Sequence, residues 1–316
     1  MRNDCKARRN VEIAGVQRYH QMNGSRTDNY AYAGFKSNKY YTSDRFIQLD
    51  ADFRRPDGKP LQGYGLEIEL GCNGITNQTV LAEVMDKIVF AQFPQDLFKM
   101  QNDCSLSGAT TAECITQVMT RQFIRNNYQA FRAMYDTYFP AFNIAANDSC
   151  GMHTNISLAN FGKTAASQAD AVRKLYYIIN RHFEFCCALF NRKASATHYC
   201  GRMDYRGAKT MDLHSQCSSH AVCFNLGHYA EGRIELRLVG PQSSFGCFRN
   251  TMESVFFLVG AVKRLSWADC DDITKIFCGC NQYVFDRIKS KVRVAGQITD
   301  SQLAAIGATV VREDLV

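Results

Sequence analysis

The sequence predicts an α+β fold: a curved antiparallel or mixed sheet with helices packed behind it. Three observations carry this. Short segments with strict two-residue alternation recur along the chain, as in Leu66-Glu67-Ile68-Glu69-Leu70 and Arg233-Ile234-Glu235-Leu236-Arg237. Longer segments with helical periodicity separate them. The polar faces of the alternating segments carry carboxylates, arginines and a histidine, so the solvent face of the sheet reads as a site.

Residues 1–60 are polar and rich in tyrosine (Tyr30, Tyr32, Tyr40, Tyr41) and read as an N-terminal arm or small irregular region, bounded by Gly58-Lys59-Pro60. The main domain is expected over 61–265 and a C-terminal helical region over 266–316. Residues 63–71 alternate as a strand, with Leu66, Ile68 and Leu70 on one face and Glu67 and Glu69 on the other. Asn77 is placed to cap a helix running to about Phe90. Short strands are expected at 97–100 and 112–116, then a long helical segment to about Tyr138, ended by Pro140. A turn at 147–151 feeds an alternating strand at 152–158, on which His153, Asn155 and Ser157 share a face. A helix is expected from about Ser167 to Phe190 and a polar loop over 191–220 with Arg192, Arg202 and Arg206. Residues 221–226 form a strand candidate leading to the 233–237 strand. Helices are expected at 251–265, 271–287 and 301–310.

The chain has 316 residues, 21% of them charged, with no run of apolar residues long enough to span a bilayer. The N-terminal Met1-Arg2-Asn3-Asp4-Cys5-Lys6 lacks the apolar core of a secretory signal, so a cytoplasmic location is expected. Fourteen cysteines in a large leaderless chain point to reduced thiols serving as small core hydrophobes. His198, Cys200, His214 and Cys217 offer zinc-type ligands, but in an order that matches no reliable zinc spacing, and Cys278-Gly279-Cys280 is too short for an ordinary half-site. The net charge of +7 gathers partly at Arg2, Lys6, Arg8 and Arg9 and partly at Arg287, Lys289, Lys291 and Arg293. Without interleaved aromatics these clusters do not suggest a nucleic-acid surface. They fit a solvated face, and an anionic substrate equally well.

In the strand at 233–237, Arg233, Glu235 and Arg237 project together. Guanidiniums suit phosphate oxygens and a carboxylate suits a hard cation. An exposed strand with cross-strand ion pairs would show the same pattern. Glu67 and Glu69 repeat the theme, because two like charges on one strand face repel unless a cation offsets them. Glu113 and His153 add two further ligand types, each on its own strand.

The order of these segments resembles the catalytic domain of the glutamine synthetase superfamily. Gly65-Leu66-Glu67-Ile68-Glu69 is similar to the family's first Glu-x-Glu strand. Gly151-Met152-His153-Thr154-Asn155-Ile156-Ser157-Leu158 is similar to its Gly-Met-His-x-His-x-Ser-Leu strand, with Asn155 in place of the second histidine. Arg233-Ile234-Glu235-Leu236-Arg237 is similar to its Arg-Ile-Glu-x-Arg strand. The amidoligase branch of bacteria and phages also shows an Asp-x-Ser-Leu turn, as at Asp103-Cys104-Ser105-Leu106, before a strand bearing an acid such as Glu113.

The resemblance spans about 63–260. It implies an ATP-dependent carboxylate–amine ligase using Mg2+ or Mn2+ and working through an acyl-phosphate, in a bacterial or phage-infected cell. It implies Glu67, Glu69, Glu113, His153 and Glu235 as metal ligands, with Arg233, Arg237 and Glu235 at the catalytic centre. Asn155, Arg202 and Arg206 would lie toward the nucleotide, and Asp103 toward the amine substrate. The partners would be the nucleotide and a small molecule, peptide or protein bearing the carboxylate and the amine, with no membrane or nucleic acid involved. A phosphotransferase of the guanidino-kinase type on the same fold, and an inactive scaffold, are the alternatives. Replacing Glu67 or Glu235 by alanine is expected to abolish activity with the fold intact.

Overall fold

The computed structural model describes residues 35, 37–94, 96–101, 106–193, 200–214 and 221–312. The fold is α+β, with mixed strand pairing and helices. The chain separates into two compact units, Met1–Met152 with Pro241–Phe245, and His153–Gly240 with Gly246–Val316. The segment read from sequence as one domain, 61–265, contributes to both.

In the first unit, β1 (Lys39–Tyr41) and β2 (Phe46–Gln48) form a small antiparallel pair. The long strand β3 (Tyr64–Cys72) is followed by α1 (Gln78–Val84), β4 (Phe98–Gln101), β5 (Thr110–Thr116) and β6 (Val118–Met119). β3 and β4 flank β5, both antiparallel, and β1 runs parallel to β6. Helices α2 (Arg121–Asn126), α3 (Tyr128–Arg132) and α4 (Phe139–Ala141) and the two-residue strand β7 (Ile144–Ala145) complete it.

Register explains why one face of this sheet is apolar. Ile68 lies opposite Cys114, Leu70 opposite Ala112 and Met100 opposite Cys114, and all are buried. Leu81, Val84 and Met85 are buried as well, as are Phe131 and Met134 of the later helical segment. Phe98 of β4 stacks on Phe90 at 4.5 Å, and Phe93 meets both Phe98 and Phe131 edge-on. These ring pairs tie helical segments to the sheet. Asn77 does cap α1, accepting from the backbone of Thr79 and Val80, and one π turn (Met85–Val89) carries the helix toward Phe90. Pro140 does not stop the second helical segment at Tyr138. It sits in the first turn of α4, where a missing N–H is tolerated.

The second unit contains β8 (Met152–Ser157, from His153 on), α5 (Ala165–Arg181), α6 (Phe183–Leu189), β9 (Phe224–Asn225) and β10 (Arg233–Leu236). It also contains α7 (Phe245–Ala261, from Gly246 on), α8 (Ile273–Ile276), α9 (Gln282–Arg287) and α10 (Asp300–Gly307). β10 pairs antiparallel with both β8 and β9. The inner face of these strands (Ile156, Ile234, Leu236, Phe224) is buried, and Phe224 meets Tyr176 of α5 edge-on at 5.7 Å.

The long helix expected over 167–190 differs in two ways. Its cap is Thr164, in a reciprocal capping box with Ser167, which lengthens it at the front. It then breaks at His182, whose φ of −108° and ψ of 44° leave the helical region. The His182 ring spans 2.9 Å to the carbonyl of Cys270. α7 starts ahead of the expected residue 251, and the expected helix over 271–287 is split into α8 and α9 by Gly279 at φ +71°.

Among the described residues eleven cysteines are free, ten buried and only Cys278 exposed. Burial pushes the thiols of Cys187 and Cys280 up to about 12 and that of Cys270 to about 11. No helix among the described residues is long and apolar enough to cross a membrane.

Candidate functional site

The first unit presents three carboxylates on the sheet face away from its apolar side. β3 and β5 pair with Glu69 directly opposite Glu113 and Glu67 opposite Ile115. Glu67 and Glu69 are two residues apart and so share that face. Gln101 pairs with Glu113 and Lys99 with Ile115, which brings one amide and one ammonium from β4 to the same side. Glu69 is buried, and Glu67 and Glu113 are half-buried. The backbone N–H of Glu69 donates to the carbonyl of Gly151 at 3.0 Å. Gly71 continues β3 where a side chain would collide with the Asn147 amide at 2.8 Å and the Ser107 carbonyl at 2.9 Å. Asn147 Nδ2 donates to that same carbonyl, and Ser149 Oγ accepts from the Ser107 N–H.

The second unit presents a mixed set. Register places Arg233 opposite Ser157 and Glu235 opposite Asn155, so His153, Asn155 and Ser157 share a face with Arg233 and Glu235. Arg237, one residue past the end of β10, continues the alternation. Its Nη1 donates to Glu235 Oε1 at 2.6 Å and lies 3.3 Å from His153 Nδ1. His153 Nδ1 lies 3.5 Å from the same Glu235 oxygen. The other oxygen, Oε2, accepts from Asn225 Nδ2 at 2.8 Å. All four residues are buried, with Arg237 at 9% exposure. The Arg237 Nε is buried without a hydrogen-bond partner among the described residues. A buried guanidinium N–H left unmet is costly, and such a group is available to an anion that reaches it.

Arg233 is more exposed. Its Nη1 donates to Asn155 Oδ1, and its Nη2 lies 3.4 Å from Glu231, which also meets His228 at 3.0 Å. The His228 hydrogen bond, the largest influence, holds the Glu231 carboxyl below its usual range, with Arg233 adding to the effect.

Buried and half-buried Glu and His groups that could bind a metal ion are therefore present. Glu67, Glu69 and Glu113 are the candidate ligands of the first unit, and His153 and Glu235 those of the second. Carboxylate oxygens with a single imidazole suit a hard to borderline divalent ion such as Mg2+ or Mn2+. Arg202 and Arg206 stand elsewhere in the second unit, both exposed. Arg202 lies over the Tyr205 ring, and Arg206 makes a fork with Asp204 at 3.0 and 3.1 Å. Asp103 lies outside the described residues, as do His198 and Cys217.

Sequence reasoning missed Asn225. Its strand is two residues long, and a lone Asn beside Leu226-Gly227 looks like turn chemistry. It does act there too, accepting from the Gly227 N–H at 2.8 Å. No protein-family model matches this chain, and no curated protein matches it.

Proposed function

We propose that the chain is an ATP-dependent carboxylate–amine ligase, with Glu67, Glu69, Glu113, His153 and Glu235 as the ligands of the divalent ions it uses, a set that rests on the motif resemblance. The observation that carries the proposal is the direct opposition of Glu69 and Glu113 in the β3–β5 ladder, with Glu67 on the same face. A ladder built only for stability avoids like charges at opposed positions. ATP and the ligation itself rest on the motif resemblance.

Bound divalent ions would neutralise nucleotide phosphates. The residues of the chain then have separate tasks. Arg237 donates Nη1 to Glu235 and keeps Nε for a phosphoryl oxygen. Glu235 is held by Asn225 on one oxygen and Arg237 on the other, so its charge is fixed in direction. A substrate carboxylate oxygen would attack the terminal phosphorus and release ADP, giving an acyl-phosphate. An amine nitrogen would then attack the acyl carbon, lose a proton and expel phosphate. In such a site the catalytic gain comes from positioning and from fixed charge.

The test is phosphate release from ATP with Mg2+ or Mn2+ across a panel of carboxylates and amines, with Glu235→Gln as the control. ADP and phosphate formed only when a carboxylate and an amine are both present support the ligase. Phosphoryl transfer to a guanidino substrate without amide formation would replace it with the phosphotransferase reading. No turnover, with no change in melting temperature on adding ATP and metal, would leave a scaffold.

A further inference from the structure

Arg192 is a buried arginine that the ligase reading does not use. It follows α6, which ends in a left-handed residue, Asn191 at φ +60°, and turns back through a bond from the Arg192 N–H to the Cys187 carbonyl at 2.8 Å. That six-residue closure is a common helix stop. It sends the Arg192 side chain inward. There its Nη2 donates to the Val239 carbonyl at 2.8 Å and to the Arg237 carbonyl at 3.4 Å. The side chain is therefore committed to backbone just past the end of β10.

That backbone needs holding. The ladder of β10 ends at Leu236. Beyond it, the N–H groups of Arg237 and Leu238 both point to the single carbonyl of Cys223, at 3.0 and 3.1 Å. The carbonyls of Arg237 and Val239 are the groups that a continuing strand would have paired, and one guanidinium nitrogen takes both. The same junction closes a second time, because the Gly240 N–H donates to the Phe190 carbonyl at 2.9 Å. The backbones approach so closely that a side chain at Gly240 would collide with the Asn191 carbonyl.

We infer that Arg192 is a positioning residue for Arg237: it clamps the carbonyls on either side of Leu238 and so fixes where the Arg237 guanidinium points. Arg237 carries a buried Nε–H that meets no partner among the described residues. An unmet buried donor is relieved by any rotation that finds an acceptor, so its persistence requires a backbone that cannot yield. The inference deepens the ligase reading and rests on it for the task of Arg237, but not for the clamp itself.

The experiment uses the full chain and reads the clamp without activity. The Arg237 Nε–H resonance in a 1H–15N spectrum is assigned by its loss in Arg237→Lys. In Arg192→Gln that resonance is expected to shift or broaden, with the melting temperature lowered by a few degrees and unfolding still cooperative, because the carbonyls of Arg237 and Val239 lose their donor. The kcat for phosphate release should fall at least about tenfold, with KM for ATP changed far less. Arg192→Lys, which keeps a cation able to reach one carbonyl, should recover part of both signals. It also carries the comparison if Arg192→Gln does not fold. An unchanged Arg237 resonance in the variant that folds overturns the inference, whatever the activity. A shifted resonance in a protein whose wild type never turns over ATP upholds the clamp and removes the ligase reading instead.

Discussion

Glu69 and Glu113 face each other at directly opposed positions of the β3–β5 ladder. Opposed carboxylates favour whatever cation reaches them, so this pair should respond to metal. Mn2+ or Mg2+ is expected to raise the melting temperature of the wild type by several degrees at saturation. A ligand at about a hundred times its Kd adds about 2.7 kcal/mol. Glu113→Gln should lose most of that rise. Calorimetry of both proteins with and without metal checks it, and an equal rise in both would remove Glu113 from the ligand set.

Glu235 was expected from sequence to be an exposed carboxylate whose loss spares the fold. It is buried, and it is the partner of Arg237. Glu235→Ala would strand a buried guanidinium, which costs about 3–5 kcal/mol. Glu235→Gln keeps the shape and can still accept from Asn225. Urea unfolding should therefore separate the two variants clearly, while both lose turnover. Glu67, only half-buried, keeps the original expectation: Glu67→Ala should cost activity with little loss of stability.

Asn225 steers Glu235 through the oxygen that Arg237 does not use. Asn225→Ala removes that donor and also the acceptor of the Gly227 N–H. The expected cost is about 1–3 kcal/mol in stability and, for a carboxylate free to rotate, about a tenfold fall in kcat. Asn225→Asp should be worse for activity, because it sets a second negative charge against Glu235. Steady-state rates on the three proteins decide the order.

His182 gives the chain a pH dependence. Burial lowers its pKa below the usual 6.5, outweighing the raising effect of the Cys270 carbonyl; Arg181 adds to the lowering, while Asp271 and Asp272 oppose it. In the unfolded chain the ring takes up a proton first as the pH falls. Its contribution to stability is thus complete above about pH 6.5 and is lost as the pH falls through the lowered value. His182→Gln should sit below wild type in melting temperature at pH 7.5, with the gap narrowing at pH 5. A gap independent of pH would show that the ring acts by packing alone.

The strands were legible because their chemistry alternates. Glu67 and Glu69 against Leu66, Ile68 and Leu70 left one choice of face, and the register with β5 agrees with it. The pairing of Glu235 with Asn155 likewise follows from two alternating segments run antiparallel. What could not be read depends on distant backbone. The break at His182 interrupts a segment whose residues all tolerate a helix, and its ring partner, Cys270, is far along the chain. Arg192 looked like one of three loop arginines, yet it is buried while Arg202 and Arg206 are exposed. Nothing in its neighbours distinguishes it, because its partners are the carbonyls of Arg237 and Val239. Burial of the site was also hidden: a charged strand face reads as solvent-facing until the residues that cover it are placed.

The ten enclosed thiols among the described residues make the chain its own reporter of opening. A thiol reacts as its thiolate, and burial both shields these groups and suppresses their ionisation. An alkylating reagent should therefore mark Cys278 quickly and the enclosed thiols only when the surrounding structure loosens. Cys270 lies in the 3-10 turn whose carbonyl meets His182, whereas Cys114 lies within β5, so each adduct names the part that gave way. Counting adducts by mass against time would map the order in which the parts of each unit loosen, with no label added to the sequence.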